Sequence, residues 1–170
     1  MGIDLVREEI ALIVIEQALQ LHGHKVFCGY SGGKDSKVVL HLARRIEPNI
    51  LAVHSEHPNE KCDLKSGVVI VKSPKENFKE LMKYADLEVQ LDGTNWFEDD
   101  KKVIYNKEEI ERRNIPHEYN PYGVFGLKIY YPILTWTVSD VWHYVRKYSL
   151  MTEEEIKNYK PSFPYTEIYL

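Results

Sequence analysis

A chain of 170 residues with 44% hydrophobic and 28% charged residues is sized and composed for one globular core rather than two. Its formal net charge of −4 argues against tracking along nucleic acid, which draws most of its affinity from a basic surplus, and leaves a tRNA or nucleotide substrate open through a local basic patch. Only Cys28 and Cys62 are present, with no CxxC pair, so a cysteine-built zinc or iron–sulfur site within this chain is excluded and a disulfide framework disfavoured.

Residues 3–21 place Leu5, Ile10, Leu12, Ile13 and Leu19 at helical spacing ahead of Gly23, and predict an amphipathic helix. Asp4, Arg7, Glu8, Glu9 and Glu16 interrupt it too often for a signal peptide or a membrane span, so the expected location is the cytoplasm. Residues 25–30 predict a short buried strand. After a Gly-rich loop, residues 36–46 present Val38, Val39, Leu42 and Ile46 on one helical face, closed by Pro48. Residues 49–55 and 67–72 are continuous apolar runs, the pattern of a parallel sheet covered on both faces. Ser73 can cap a helix over 74–84, with Pro74 in its first turn. A fourth strand over 87–91 leads into Asp92-Gly93-Thr94-Asn95.

Further on, 107–113 predicts a helix, and 114–126, rich in Pro, Asn, Tyr and Gly, a long loop of the functional kind. Residues 128–134 predict a strand, and 137–148 a helix with Val138, Val141, Trp142 and Val145 inward. The last twenty residues carry a short acidic helix and a Pro/Tyr-rich tail. The alternation predicts an α/β fold: a single doubly wound, mostly parallel sheet flanked by helices. A nucleotide-binding domain would occupy 1–150, with 151–170 a tail packing on it or on a partner.

The chemistry concentrates in Ser31-Gly32-Gly33-Lys34-Asp35-Ser36, set between a strand and a helix. Two glycines let successive N–H groups face one point and leave room for close approach by a ligand. The new helix adds its positive end, Ser31 and Ser36 add hydroxyls, and Lys34 adds a compact positive charge for phosphate. The loop is not a Walker A motif, because Cys28 and Asp35 stand where that pattern requires Gly and Ser or Thr. Asp35 fits either a Mg²⁺ contact or a side chain turned inward to stiffen the loop.

This strand–SGGKDS–helix arrangement resembles the PP-loop of the N-type ATP pyrophosphatases, or adenine nucleotide α-hydrolases, a superfamily of HUP-like fold. The later run Tyr131-Pro132-Ile133-Leu134-Thr135-Trp136-Thr137-Val138-Ser139-Asp140-Val141-Trp142 is similar to a stretch of the phosphoadenosine phosphosulfate (PAPS) reductase group. That group also includes the sulfate adenylyltransferase small subunit and an FAD synthetase branch. The resemblance implies ATP as substrate with Mg²⁺, attack of an acceptor oxygen on the α-phosphorus, and departure of pyrophosphate. It implies phosphate binding by Ser31, Gly32, Gly33, Lys34, Asp35 and Ser36, catalysis by Lys34 and Asp35, and a nucleotide pocket lined by Tyr30, His54, Ser55 and Gly93. A metal role would fall to Asp35, with Glu98 and Asp99.

Two departures shape the expectation. PAPS reductases resemble one another in a C-terminal nucleophilic Cys, and here no Cys follows Cys62. Cys28 reads as a buried strand thiol, and Cys62, in a polar loop, stays open as a reactive one. The Gly-x-Arg element common after the fourth strand is replaced by Gly93-Thr94-Asn95-Trp96-Phe97-Glu98-Asp99-Asp100. Its DGTN start is similar to a PP-loop branch that activates carboxylates or transfers sulfur, and its three acids are either metal contacts or a solvated helix start. His54 and His57 read as pocket neighbours rather than metal ligands. Tyrosines between 119 and 131 would stack on a base or cover the sheet edge, and Lys101, Lys102, Arg112 and Arg113 would take a second phosphate or stay solvated.

Three functions therefore stand open: an adenylylating ATP pyrophosphatase with an unknown acceptor; a sulfonucleotide reductase dependent on an external thiol; and a non-catalytic nucleotide-binding subunit. Tyr159, Phe163, Tyr165 and Tyr169 in the tail suggest docking onto a partner subunit or a second copy.

Overall fold

The computed structural model describes residues 3–56, 67–72, 75–95, 118–119 and 127–159. Helix α1 spans Ile3–His22 and a short 3-10 turn follows over Gly23–Lys25. The chain continues through β1 Val26–Gly29, α2 Lys34–Ile46, β2 Leu51–Glu56, β3 Val68–Lys72, α3 Lys75–Tyr84 and β4 Val89–Leu91. Beyond these lie β5 Glu118–Tyr119, β6 Lys128–Tyr130, α4 Val138–Lys147 and α5 Glu153–Lys157. The expected helix over 107–113, most of the 114–126 loop, the Ser73 cap and the tail tyrosines beyond Tyr159 lie outside the described residues.

The strands form one six-stranded sheet in the order β3-β2-β1-β4-β6-β5. Every neighbouring pair is parallel except β5 with β6. Alternate residues of β1 face opposite layers: Val26 and Cys28 join the core under α1, α2 and α4, whereas Phe27 joins Val53, Val71, Phe78 and Met82 under α3. Two covered faces explain why β1 and the middle of β2 run apolar without alternation, whereas in the edge strand β3 the equally apolar run leaves Val69 and Ile70 exposed, against the sequence expectation. From β1 the chain winds outward to β2 and β3, then returns to β4 on the other side of β1. The order reverses there, so the loops after β1 and β4 diverge from the sheet at one crevice, where open α/β sheets bind ligands.

Helix α1 differs from its sequence expectation in the face it buries. Ala11, Val14, Ile15 and Ala18 are inside, and Leu5, Ile10 and Ile13 are exposed. The helix is apolar nearly all round, so periodicity cannot choose its face; two alanines allow the close approach to the sheet that leucines would block. In α4 the buried residues are Val141, Tyr144 and Val145, with Val138 and Trp142 half-buried.

A polar knot ties three helices together. Glu8 of α1 is buried and accepts from Lys147 Nζ at 2.7 Å, Tyr148 Oη at 2.8 Å and Arg45 Nη1 at 3.1 Å. Burial pushes its carboxyl up, and these three donors together outweigh that and hold it below the ordinary range. Hydrogen bonds to a buried charge typically contribute about 1.5–3 kcal/mol, so Glu8→Gln is expected to cost about 2 kcal/mol at neutral pH. Because the folded carboxyl is more acidic than the unfolded one, this stability exists above the ordinary carboxylate range and is lost as pH falls through the folded value. Denaturation at pH 7 and pH 4 should therefore show the wild-type advantage shrinking in acid. A gap independent of pH would refute this account of the knot.

Candidate functional site

At Gly29 and Tyr30 the chain leaves the sheet and must reverse into α2 within three residues. Gly32 makes the reversal at φ +83°, a conformation that a Cβ strains. Gly33 then enters α2 with extended backbone and no side-chain cap, so the helix starts at Lys34, two residues before the Ser36 start expected from sequence. The reason is local: the Gly33 carbonyl accepts from Lys37 N–H at 3.1 Å and from Ser36 Oγ at 3.0 Å. Ser31 Oγ accepts from Gly33 N–H at 3.2 Å and lies 3.2 Å from Ser36 Oγ, so the two hydroxyls bracket the loop.

Lys34 and Asp35 are each only 8% exposed, and Lys34 Nζ donates to Asp35 Oδ2 at 2.7 Å. The other carboxylate oxygen, Oδ1, accepts from Asn95 Nδ2 at 3.3 Å. Burial pushes the Asp35 carboxyl up; Lys34 pulls against this and Asp92 adds to it. The pair thus lies at the mouth of a helix whose first N–H groups lack intrahelical acceptors.

Segment 92–95 reaches this point because β4 pairs directly with β1. Asp92 shapes the turn, its Oδ1 accepting from Thr94 N–H at 2.8 Å and its Oδ2 from Gln90 Nε2 at 3.0 Å. Gly93 lies so close to α2 that a Cβ there would come within 2.9 Å of the Asp35 carbonyl carbon and 3.0 Å of Ser36 N.

Tyr30 is buried, and its hydroxyl accepts from Lys37 Nζ at 3.1 Å. His54, buried in β2, donates from Nδ1 to the Tyr30 carbonyl at 2.8 Å and so ties β2 to the junction of strand and loop. Ser55 follows at an exposed position of the same strand. The structure thus places Tyr30, Ser31, Gly32, Gly33, Lys34, Asp35, Ser36 and Gly93 together at the carboxyl ends of β1 and β4, with His54 joined through the Tyr30 backbone.

No protein-family model and no curated protein matches the chain. Solved structures do. A PAPS reductase from Candida auris, in a phosphate complex, matches with TM-score 0.60 at 12% identity over 89% of this chain and 86% of its own. The FMN adenylyltransferase of Candida glabrata in complex with ATP matches with TM-score 0.61 at 12% identity, over 84% of this chain and 54% of its own. The U34-tRNA thiolase NcsA of Methanococcus maripaludis, with its [4Fe-4S] cluster, gives TM-score 0.58 at 14% identity over 95% and 68%. The chain shares with these proteins a mostly parallel α/β sheet flanked by helices. It spans about half the length of the FMN adenylyltransferase it matches.

Three residues absent from the site expected from sequence stand beside this loop. Lys37 puts a second cation one helical turn beyond Lys34; the run SGGKDSK carried that signal. Asn95, 1% exposed, orients Asp35 from 60 residues away. Tyr159 Oη accepts from the backbone N–H of Lys34 at 3.2 Å, a contact no local pattern announces. Cys28 is fully buried, and burial pushes its thiol up to about 12 despite the nearby Arg44, so it is an inert strand residue. Cys62, His57, Glu98 and Asp99 lie outside the described residues, as do Lys101, Lys102, Arg112 and Arg113. Among the described residues no three His, Cys, Asp or Glu side chains cluster to hold a metal, and no helix is long and apolar enough to cross a membrane.

Proposed function

We propose that this chain is an ATP pyrophosphatase of the PAPS reductase-like kind, which cleaves ATP at the α-phosphate and transfers the adenylyl group to an acceptor. The observation that carries this reading is the PP-loop itself: a Gly32 turn at positive φ, a helix opening at Gly33 without a capping side chain of its own, and Lys34 with Asp35 buried at its mouth.

In the proposed reaction an acceptor oxygen forms a bond to the α-phosphorus. The bond from that phosphorus to the α–β bridging oxygen breaks, pyrophosphate leaves with the electron pair, and the acceptor proton passes to solvent. The demand on the protein is to bind and neutralise a leaving group of growing charge. Backbone N–H groups around Gly33, the Ser31 hydroxyl and the Lys34 ammonium would supply donors to this charge, while Ser36 Oγ, which donates to the Gly33 carbonyl, would hold the loop in shape. Tyr30, His54, Ser55 and Gly93 would border the nucleoside, with Lys37 available to a phosphate oxygen.

A Mg²⁺ ion suits hard oxygen ligands and commonly takes one or two carboxylates with substrate phosphates. Asp35 lies beside the loop with its oxygens held by Lys34 and Asn95, so it would hold the ion together with the nucleotide by sharing or releasing one of these contacts, joined by Glu98 and Asp99. When bound, the ion would neutralise pyrophosphate charge. Thiol-dependent sulfonucleotide reduction draws no support from Cys28, which is sealed in β1.

The test is ³¹P NMR of the full chain incubated with Mg·ATP. Pyrophosphate appearing with AMP or an adenylylated product is the expected result. ADP with inorganic phosphate would overturn the reading, and sulfite release from PAPS with a dithiol reductant would replace it.

A further inference from the structure

The segment after α4 does more than close the fold. Ser149, at φ +51°, turns the chain out of α4, and α5 then opens on a capping box between Thr152 and Glu155. Ile156 anchors this short helix on the core, and Tyr159 follows it, its N–H bonded to the Ile156 carbonyl at 3.3 Å. The Tyr159 ring stands edge-on to Trp142 of α4, with centroids 5.2 Å apart, and its hydroxyl is thereby carried across to the PP-loop.

The placement there is specific. Tyr159 Oη accepts from Lys34 N–H at 3.2 Å, and a Cβ on Gly33 would meet the same oxygen at 3.1 Å. Lys34 Nζ lies 5.8 Å from the ring centroid. The first N–H of α2 has no intrahelical partner and is a donor a bound phosphate oxygen would take. A neutral phenol oxygen is a weaker acceptor than an anionic phosphate oxygen, so the contact satisfies the donor and is exchangeable.

We propose that Tyr159 is an internal competitor for the PP-loop: its hydroxyl occupies the seat of a phosphate oxygen, and ligands bearing pyrophosphate bind by displacing it. The proposal rests on the nucleotide-binding reading of the loop. It makes the α4–α5 strap a gate on phosphate entry, and it makes apparent affinity the product of the open fraction and the intrinsic affinity.

The experiment is calorimetric titration of the full chain with sodium pyrophosphate, on wild type, Tyr159→Phe, Tyr159→Ala and Lys34→Ala. Tyr159→Phe keeps the ring against Trp142 and removes only the oxygen, so its fold is preserved. It should bind pyrophosphate about fivefold tighter, the effect of removing one competing hydrogen bond of about 1 kcal/mol. Tyr159→Ala should bind at least as tightly. In wild type the Trp142 indole N–H resonance, assigned with Trp142→Phe, should shift on addition of pyrophosphate; in Tyr159→Ala it should stay still. Wild-type binding with equal or weaker affinity in Tyr159→Phe overturns the competitor role and leaves the loop reading intact. Absence of binding in wild type and both Tyr159 variants overturns the competitor and the loop reading together.

Discussion

Lys34→Ala is expected to slow pyrophosphate release from ATP by about 10²–10³-fold, the range seen when one preorganised donor to a developing negative charge is removed. The same substitution should destabilise the unliganded protein by about 3 kcal/mol, because it leaves a buried carboxylate without its cation. Side-chain exposures of 10% for Lys34 and 12% for Asp35 leave little solvent to compensate, and only neutral donors, Asn95 and the Asp35 backbone N–H, remain. The pH dependence has a definite sign. Burial already raises the Asp35 carboxyl above its usual range, and loss of Lys34 raises it further. A carboxyl with a raised folded pKa contributes stability below the unfolded value and loses it as pH rises through the folded one. The variant should therefore trail wild type most at pH 8 and recover much of the difference at pH 5. Denaturant titrations at both values would show this, and Lys34→Ala/Asp35→Asn should recover stability at pH 8 without recovering turnover. A single variant as stable as wild type at pH 8 would mean that the Lys34–Asp35 contact is not a closed pair.

What the sequence makes legible here is local. The apolar run of β1, the two glycines and the amphipathic start of α2 are adjacent in the chain, so their order alone places the loop at a strand end facing a helix N-terminus. Residues joined by sheet order are a different matter. Asn95 reaches Asp35 only because β4 returns to pair with β1, and neither residue carries a local sign of the other. Helix α1 hides its buried face because too many of its positions are apolar, and alanine size decides where spacing cannot. The 131–142 run is instructive in another way. Pro132, Ile133, Trp136 and Val141 are buried, while Thr137 and Asp140 form a reciprocal capping box that starts α4. Arg7 from α1 pairs with the same Asp140. In this structure the run begins a helix and seats it against the core.

Gly93→Ala should be more damaging than Gly33→Ala, although the Gly93 backbone carries no positive φ. The added carbon would meet the Asp35 carbonyl carbon at 2.9 Å, Ser36 N at 3.0 Å and Asp35 Cβ at 3.1 Å. None of these is the free end of a side chain, so relief requires the 92–95 turn and the first turn of α2 to separate. Overpacking of this kind costs about 1–3 kcal/mol, and the displaced atoms belong to the residues that present Asp35 and the loop donors. Pyrophosphate affinity should fall along with stability. Gly33→Ala provides the contrast: its Cβ would meet Tyr159 Oη at 3.1 Å and Ser31 Oγ at 3.3 Å, both ends of side chains that can turn away. Thermal melts and pyrophosphate titrations of the two variants should rank Gly93→Ala below Gly33→Ala in both measurements. The reverse order would mean that the β4 turn yields easily and that the geometry of the loop is held from within 31–36 alone.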